Sequence, residues 1–156
     1  MRPVRGYALL VCLAAGILAH TVFGQGFGIM ELKRYMWKNR LLLVFAPSED
    51  DTRYRALRRE LERQEHELVD RDLLIFHILE SGESRLGDSL IDHQSAASLR
   101  NRFSVNPGQF IVVLIGKDGG EKLRRGREVD IAEIFSLIDS MPMRQREIRK
   151  RGKDKR

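Results

Sequence analysis

The chain has a single cysteine among its 156 residues, Cys12, and it lies inside an apolar stretch near the start. One thiol cannot form an internal disulfide. Thiolates are the nucleophiles of disulfide exchange and of thiol-dependent peroxide reduction, so everything from Gln25 onward is excluded from both chemistries. Small exported domains often offset a thin core with disulfides; this one must hold together by packing alone. The chain also has no internal repeat.

Residues 1–24 read as a signal peptide. Arg2 and Arg5 form a basic start, Tyr7 to Ala19 is uncharged and apolar, and Val22 and Gly24 suit cleavage before Gln25. Cleavage after Ala19 is an alternative, and an uncleaved anchor is the minor one, because Tyr7–Phe23 is close to the shortest run that spans a bilayer. Val11 before Cys12 argues against a lipoprotein. Removal of the leader leaves 132 residues, enough for one domain with a core.

Charge is unevenly placed. The whole chain is +6, yet Arg144–Arg156 alone carries eight Lys or Arg against two acids, and the leader carries two arginines. Residues 25–143 therefore sum to −2. The basic segment 142–156 is expected to be a disordered tail, either a solvated terminus or a means of attraction to an anionic surface. Near an anionic membrane each basic residue contributes about 1 kcal/mol. Its candidate contacts are Arg144, Arg146, Arg149, Lys150, Arg151, Lys153, Lys155 and Arg156. Export places this segment away from nucleic acid, so neither DNA nor RNA is an expected partner.

Leu41–Ala46 is a continuous apolar run closed by Pro47, the pattern of a strand buried on both faces. Ser48 or Asp50 can cap the helix that follows. Tyr54, Leu57, Leu61 and Leu68 then fall at helical spacing, predicting one long amphipathic helix to about Val69. Asp70-Arg71-Asp72 links to a second apolar run, Leu73–Leu79. Together they make a βαβ unit with parallel strands and a right-handed crossover. Glu80–Asp92 has no clear period and reads as a loop. Ser95–Phe103 reads as a short helix capped by Asp92 or Ser95. Phe110–Ile115 and Glu121–Arg125 read as a hairpin about Lys117-Asp118-Gly119-Gly120. Asp130 and Glu133 open a last helix whose apolar face is Ile131, Ile134, Phe135 and Ile138, stopped by Pro142. Trp37 is expected to plug the bottom of the core, and Arg40, Arg71 and Asp72 to bridge the βαβ unit.

Few groups suggest chemistry. Glu49, Asp50 and Asp51 lack the alternate spacing of a calcium loop and suit helix capping. His66, His77 and His93 are scattered, and His77 beside Phe76 reads as a packing histidine. Gly116–Gly120 is a turn without a phosphate-cradling pattern. No metal and no cofactor are expected.

The order β-α-β, short helix, β-hairpin, helix, with Pro107 just before the third strand, resembles the thioredoxin-like fold over residues 37–141, preceded by a lead-in at 25–36. The segment from Trp37 through Pro47, Asp70-Arg71-Asp72-Leu73, and Leu114 to Gly120 together resemble domain of unknown function family 4174. That is a thioredoxin-like group of short exported bacterial proteins, related to domains of vertebrate sushi-repeat and equarin-type matrix proteins. The resemblance implies an α/β three-layer sandwich with a four-stranded mixed sheet in the order 2-1-3-4. It also implies a periplasmic or extracellular compartment. In redox members of the fold a cysteine stands between the first strand and its helix; here that place reads Ala46-Pro47-Ser48-Glu49-Asp50-Asp51-Thr52. Ser48 has no histidine nearby in sequence, and three acids would repel a developing oxyanion. The reading is therefore a non-redox exported module that binds an envelope protein or peptide at the former active-site edge. Its candidate residues are Pro47, Ser48, Asp51, Arg53, Asn106 and Pro107. The alternatives are a structural envelope protein held to anionic surfaces by its basic tail, and a non-thiol enzyme in which His77 or His93 would approach Asp51.

Overall fold

The computed structural model describes residues 32–154; the expected leader and most of the lead-in lie outside them. At the centre is β1 (Arg40–Ala46), whose every residue is buried, as its unbroken apolar run requires. It pairs in parallel with β2 (Leu73–Leu79) on one side and antiparallel with β5 (Ile111–Ile115) on the other. Helix α1 (Thr52–Arg63) and α2 (Glu65–Asp70) make the crossover between β1 and β2.

The remaining elements are β3 (Ser84–Leu86), β4 (Ser89–Ile91), α3 (His93–Arg102), β6 (Glu121–Arg125), α4 (Ile131–Ser140) and α5 (Pro142–Asp154). The sheet runs β4-β3-β2-β1-β5-β6. Alternation along β1 divides the core. Leu42, Val44 and Ala46 face α1 and α4, meeting Tyr54, Leu57, Leu61, Ile134 and Ile138. Leu41, Leu43 and Phe45 face α3, meeting Ala96, Leu99 and Phe103. The result is helix, sheet, helix in three layers.

The four expected strands lie side by side in the expected order, but the sheet has six strands, not four. The segment read as a loop contains the β3–β4 hairpin, turning at Gly87 with φ +55. Each of its strands is three residues long, too short for alternation to register in the sequence. The single long helix is broken at Gln64, whose φ of −115 and ψ of 29 leave helical space. A continuous helix would carry Glu65 onto the stripe of Leu57 and Leu61, whereas the break leaves Glu65 exposed.

Two further expectations are corrected. Trp37 does not plug the core: it is 65% exposed, and Tyr35 covers that end by meeting Phe76 edge to face at 5.7 Å. The segment after Pro142 is helical rather than disordered. Pro142 begins α5 instead of merely ending α4, a position where its missing N–H costs nothing.

Side chains of α5 close an ionic network at the N-terminal foot of β1. Arg40 is 1% exposed; its Nη1 donates to the Arg71 carbonyl at 2.8 Å and to Glu147 Oε2 at 3.2 Å. Lys117 Nζ bridges Glu147 at 2.7 Å and Asp72 at 2.8 Å. Arg71 pairs with Glu67 and Asp139, while Arg144 pairs with Asp139 and Asp70, which also takes Arg151. Five cations thus meet five carboxylates. The bridge foreseen among Arg40, Arg71 and Asp72 is replaced by this larger set, in which Arg40 reaches Arg71 only through its carbonyl.

Burial works to raise the Glu147 pKa, but the hydrogen bonds from Lys117 and Arg40 outweigh it and hold the carboxyl below its ordinary 4.5. Asp70 is likewise lowered, burial being outweighed by Arg144 and Arg151. Both groups stabilise the fold fully above their ordinary values, and that contribution is lost as pH falls through the depressed ones. Glu147→Ala strands Arg40 without its carboxylate and should cost roughly 3 kcal/mol in urea unfolding at pH 7. Its stability should also fall less steeply than that of the parent chain below pH 4.5.

Candidate functional site

The end of the sheet opposite the ionic network is where β1 runs out. Pro47 closes the strand, and the chain turns through Ser48, whose Oγ accepts from the Asp50 amide at 3.3 Å. The helix cap is Asp51, not Ser48 or Asp50: its Oδ1 accepts from the amides of Arg53 at 2.9 Å and Tyr54 at 3.2 Å. The Arg53 guanidinium folds back on the same carboxylate at 2.6 Å and lies 5.1 Å from the centre of the Phe110 ring. The Arg53 side-chain hydrogen bond is the chief reason the Asp51 carboxyl lies below its ordinary pKa; the two amides add to it and burial opposes it. An ionised carboxylate with its lone pairs spent on a cap and a guanidinium is poorly suited to act as a base.

Across from this turn, Asn106 and Pro107 are exposed, and Gln109 Oε1 accepts from the Asn106 amide at 2.9 Å. No peptide bond among the described residues is cis. Arg100 of α3 joins the two sides. Nine-tenths buried, it donates from Nη1 to the Ala46 carbonyl at 3.3 Å and from Nη2 to the Asn106 carbonyl at 2.9 Å. Glu80 pairs with Arg100 at 3.3 Å and accepts from the Gly108 amide at 2.7 Å. The Ser81 amide donates to the Pro47 carbonyl at 2.9 Å. One buried arginine and one carboxylate thus clasp the loops after β1 and β2 to the turn before β5.

The six residues singled out in the sequence therefore lie along one rim, Arg53 doing so from above the Phe110 ring. Arg100 and Glu80 were missed, since nothing local marks them: they lie 20 residues apart, one in a helix and one in a turn. Neither His77 nor His93 is among the hydrogen-bond partners of Asp51. Among the described residues there is no cluster of His, Cys, Asp and Glu that could hold a metal.

His77 occupies a different place, the floor of a groove of about 720 Å³ between α1 and the β3–β4 hairpin. Its ring meets Tyr54 edge-on at 5.6 Å, and its Nδ1 is buried without a partner. Burial, with a smaller push from Arg58, lowers its pKa from 6.5 to about 4. It packs against Tyr54, but it is not the satisfied packing histidine that its position beside Phe76 suggested, because Nδ1 is left without a partner. The groove's lip mixes Glu49, Glu62 and Glu83 with Arg58 and Arg85, and two of those acids are already paired.

Of the eight basic residues proposed for an anionic surface, Arg144 and Arg151 are consumed by the ionic network. Arg146, Arg149, Lys150 and Lys153 are exposed on α5. Lys155 and Arg156 lie outside the described residues.

Residues 31–147 match the family described as "Domain of unknown function (DUF4174)", three-quarters of the chain, and the chain belongs to that family. Its far boundary falls at Glu147, the carboxylate that closes the network. Coiled-coil domain-containing protein 80 of Danio rerio is 30% identical over 133 residues, covering 75% of this chain and 15% of that protein. The chain thus spans only a small part of that relative's length. Among solved structures, reduced 2-Cys peroxiredoxin of Plasmodium vivax superposes with a TM-score of 0.54 at 14% identity. The match covers 74% of this chain and 84% of that one, and it shows a shared thioredoxin-like fold.

The unfolded chain takes up a proton at His77 near pH 6.5, the folded chain only near 4, so stability falls as pH drops through that window. Between pH 7 and pH 5 the loss should be about 2 kcal/mol. His77→Leu, which also removes the unpartnered Nδ1, should abolish that slope in urea unfolding at the two pH values.

Proposed function

We propose that this DUF4174 member is an exported, non-redox thioredoxin-like module that binds a protein or peptide partner at the rim formed by Pro47, Ser48, Asp51, Arg53, Asn106 and Pro107. The observation that carries the reading is the Arg100–Glu80 clasp. It fixes three loops through backbone carbonyls and one amide while leaving Asn106, Pro107 and Arg53 exposed. A rim ordered in advance loses little further freedom on binding, so more of each contact appears as affinity. Strand addition is the less suitable route. The outer strands are only three and five residues long, and β6 carries Glu121, Lys122, Arg124 and Arg125 along an edge such charges protect.

The non-redox part rests on the sequence. In the place where redox relatives of the fold carry cysteine, the chain has Ser48 and a helix-capping Asp51, and its single Cys12 lies within the proposed leader. The partner's identity is left to its chemistry: a segment able to accept from the Arg53 guanidinium and to pack on Pro107.

A photo-crosslinking residue introduced at Pro107 should yield one discrete adduct in intact envelopes. The same residue at Arg59, exposed on the far side of α1, should yield none, and Arg53→Glu should abolish the first adduct. Equal labelling from both positions would contradict the rim as the contact surface. The purified protein should neither reduce insulin nor consume peroxide above buffer, and activity in either assay would overturn the non-redox reading. Mass analysis of the exported protein should place its first residue at Gln25.

A further inference from the structure

We infer that the pole capped by α5 is a docking face for anionic phospholipid, seated by Trp37. The inference concerns the end of the molecule opposite the proposed partner rim and does not rest on it.

The charge at this pole is divided by the helix itself. Arg144, Glu147 and Arg151 recur at spacings of three and four, share one side of α5, and are bound into the network of five cations and five carboxylates. Within that network no net charge remains. The opposite side of the helix carries Arg146, Arg149, Lys150 and Lys153, all exposed, and none has a carboxylate partner among the described residues. Lys38, exposed next to Trp37, adds a fifth unneutralised cation. Among the described residues these cations form an ordered basic face at this pole.

Apolar surface collects at the same pole. Four large apolar side chains are markedly exposed among the described residues, and three of them are here: Trp37, Val69 beside Asp70, and Ile148 beside Glu147. The Trp37 amide donates to the Lys117 carbonyl at 2.6 Å, and Lys117 in turn holds Glu147, so Trp37 and α5 abut the same residue. Trp37 also has φ +65, a region unfavourable for a bulky side chain. With the residue 65% exposed, packing does little to offset that strain. Backbone strain retained for an exposed tryptophan points to contact outside the chain. Tryptophan prefers the headgroup region of a bilayer, and lysines and arginines around it are drawn to anionic lipid, each with comparable strength. Basic charge alone would suit many polyanions; basic charge at the same pole as an exposed indole and two aliphatic side chains fits a lipid surface best.

Trp37 is the only tryptophan in the chain, so its emission reports on this pole alone. The exported chain beginning at Gln25 should show a blue shift with vesicles of phosphatidylglycerol and phosphatidylcholine in equal parts, reversed by high salt, and none with phosphatidylcholine alone. In sedimentation with the mixed vesicles, Arg149→Gln combined with Lys150→Gln should weaken binding roughly 30-fold. Arg55→Gln with Arg59→Gln, on α1, should leave it unchanged. Trp37→Asn should weaken binding yet raise the melting temperature, because asparagine tolerates positive φ. The inference is overturned if the mixed vesicles give no blue shift, or if the α5 double variant binds like the parent. Tighter capture by heparin than by the vesicles would overturn it equally.

Discussion

A guanidinium buried at the foot of the central strand sets the terms for this fold. Arg40 opens β1 at 1% exposure, and a charge taken that far out of water needs a carboxylate in contact with it. Glu147 supplies one from 107 residues away, and Lys117 and Asp72 complete the arrangement. α5 must therefore lie across this end of the sheet in one rotational setting, with Arg144 and Arg151 turned toward Asp70. That setting also decides which basic residues remain outside. Packing and surface charge are, at this pole, two consequences of one constraint.

The opposite end of β1 is organised by a different buried arginine. Arg100 is satisfied mainly by backbone carbonyls, with Glu80 as its carboxylate partner. Where redox proteins of this fold direct a helix N-terminus at a thiol, this chain has filled the helix end with its own Asp51 and closed that carboxylate with Arg53. The Danio rerio relative, of which this domain matches 15%, is consistent with a unit that also occurs within longer chains.

Much of the architecture was legible because long apolar runs and cap residues are local signals. Leu41–Ala46, Leu73–Leu79, Asp92 before α3 and the Lys117–Gly120 turn all read directly. What escaped reading depends on distant partners. Three-residue strands carry too little pattern for β3 and β4 to register. The break at Gln64 keeps Glu65 off the stripe of Leu57 and Leu61, a relation no local signal marks. The basic tail looked too polar to fold because charges were counted without their partners: Arg144 is as much an interior residue as Leu41 is, and Glu147 is partly buried against Arg40 and Lys117. Trp37 erred in the other direction, since hydrophobicity alone assigns tryptophan to the core. At the candidate site the exposed rim was legible from its place beside the first strand, whereas the clasp that orders it was not.

α5 is part of the folded unit rather than an appendage. The most direct measurement is urea unfolding of the chain shortened after Met143, set against the chain shortened after Arg151. The second should retain the stability of the full chain, while the first, lacking Arg144 and Glu147, should lose several kcal/mol or fail to fold cooperatively. Equal stability of the two shortened chains would contradict it, because Arg40 and Lys117 would then need nothing from the helix.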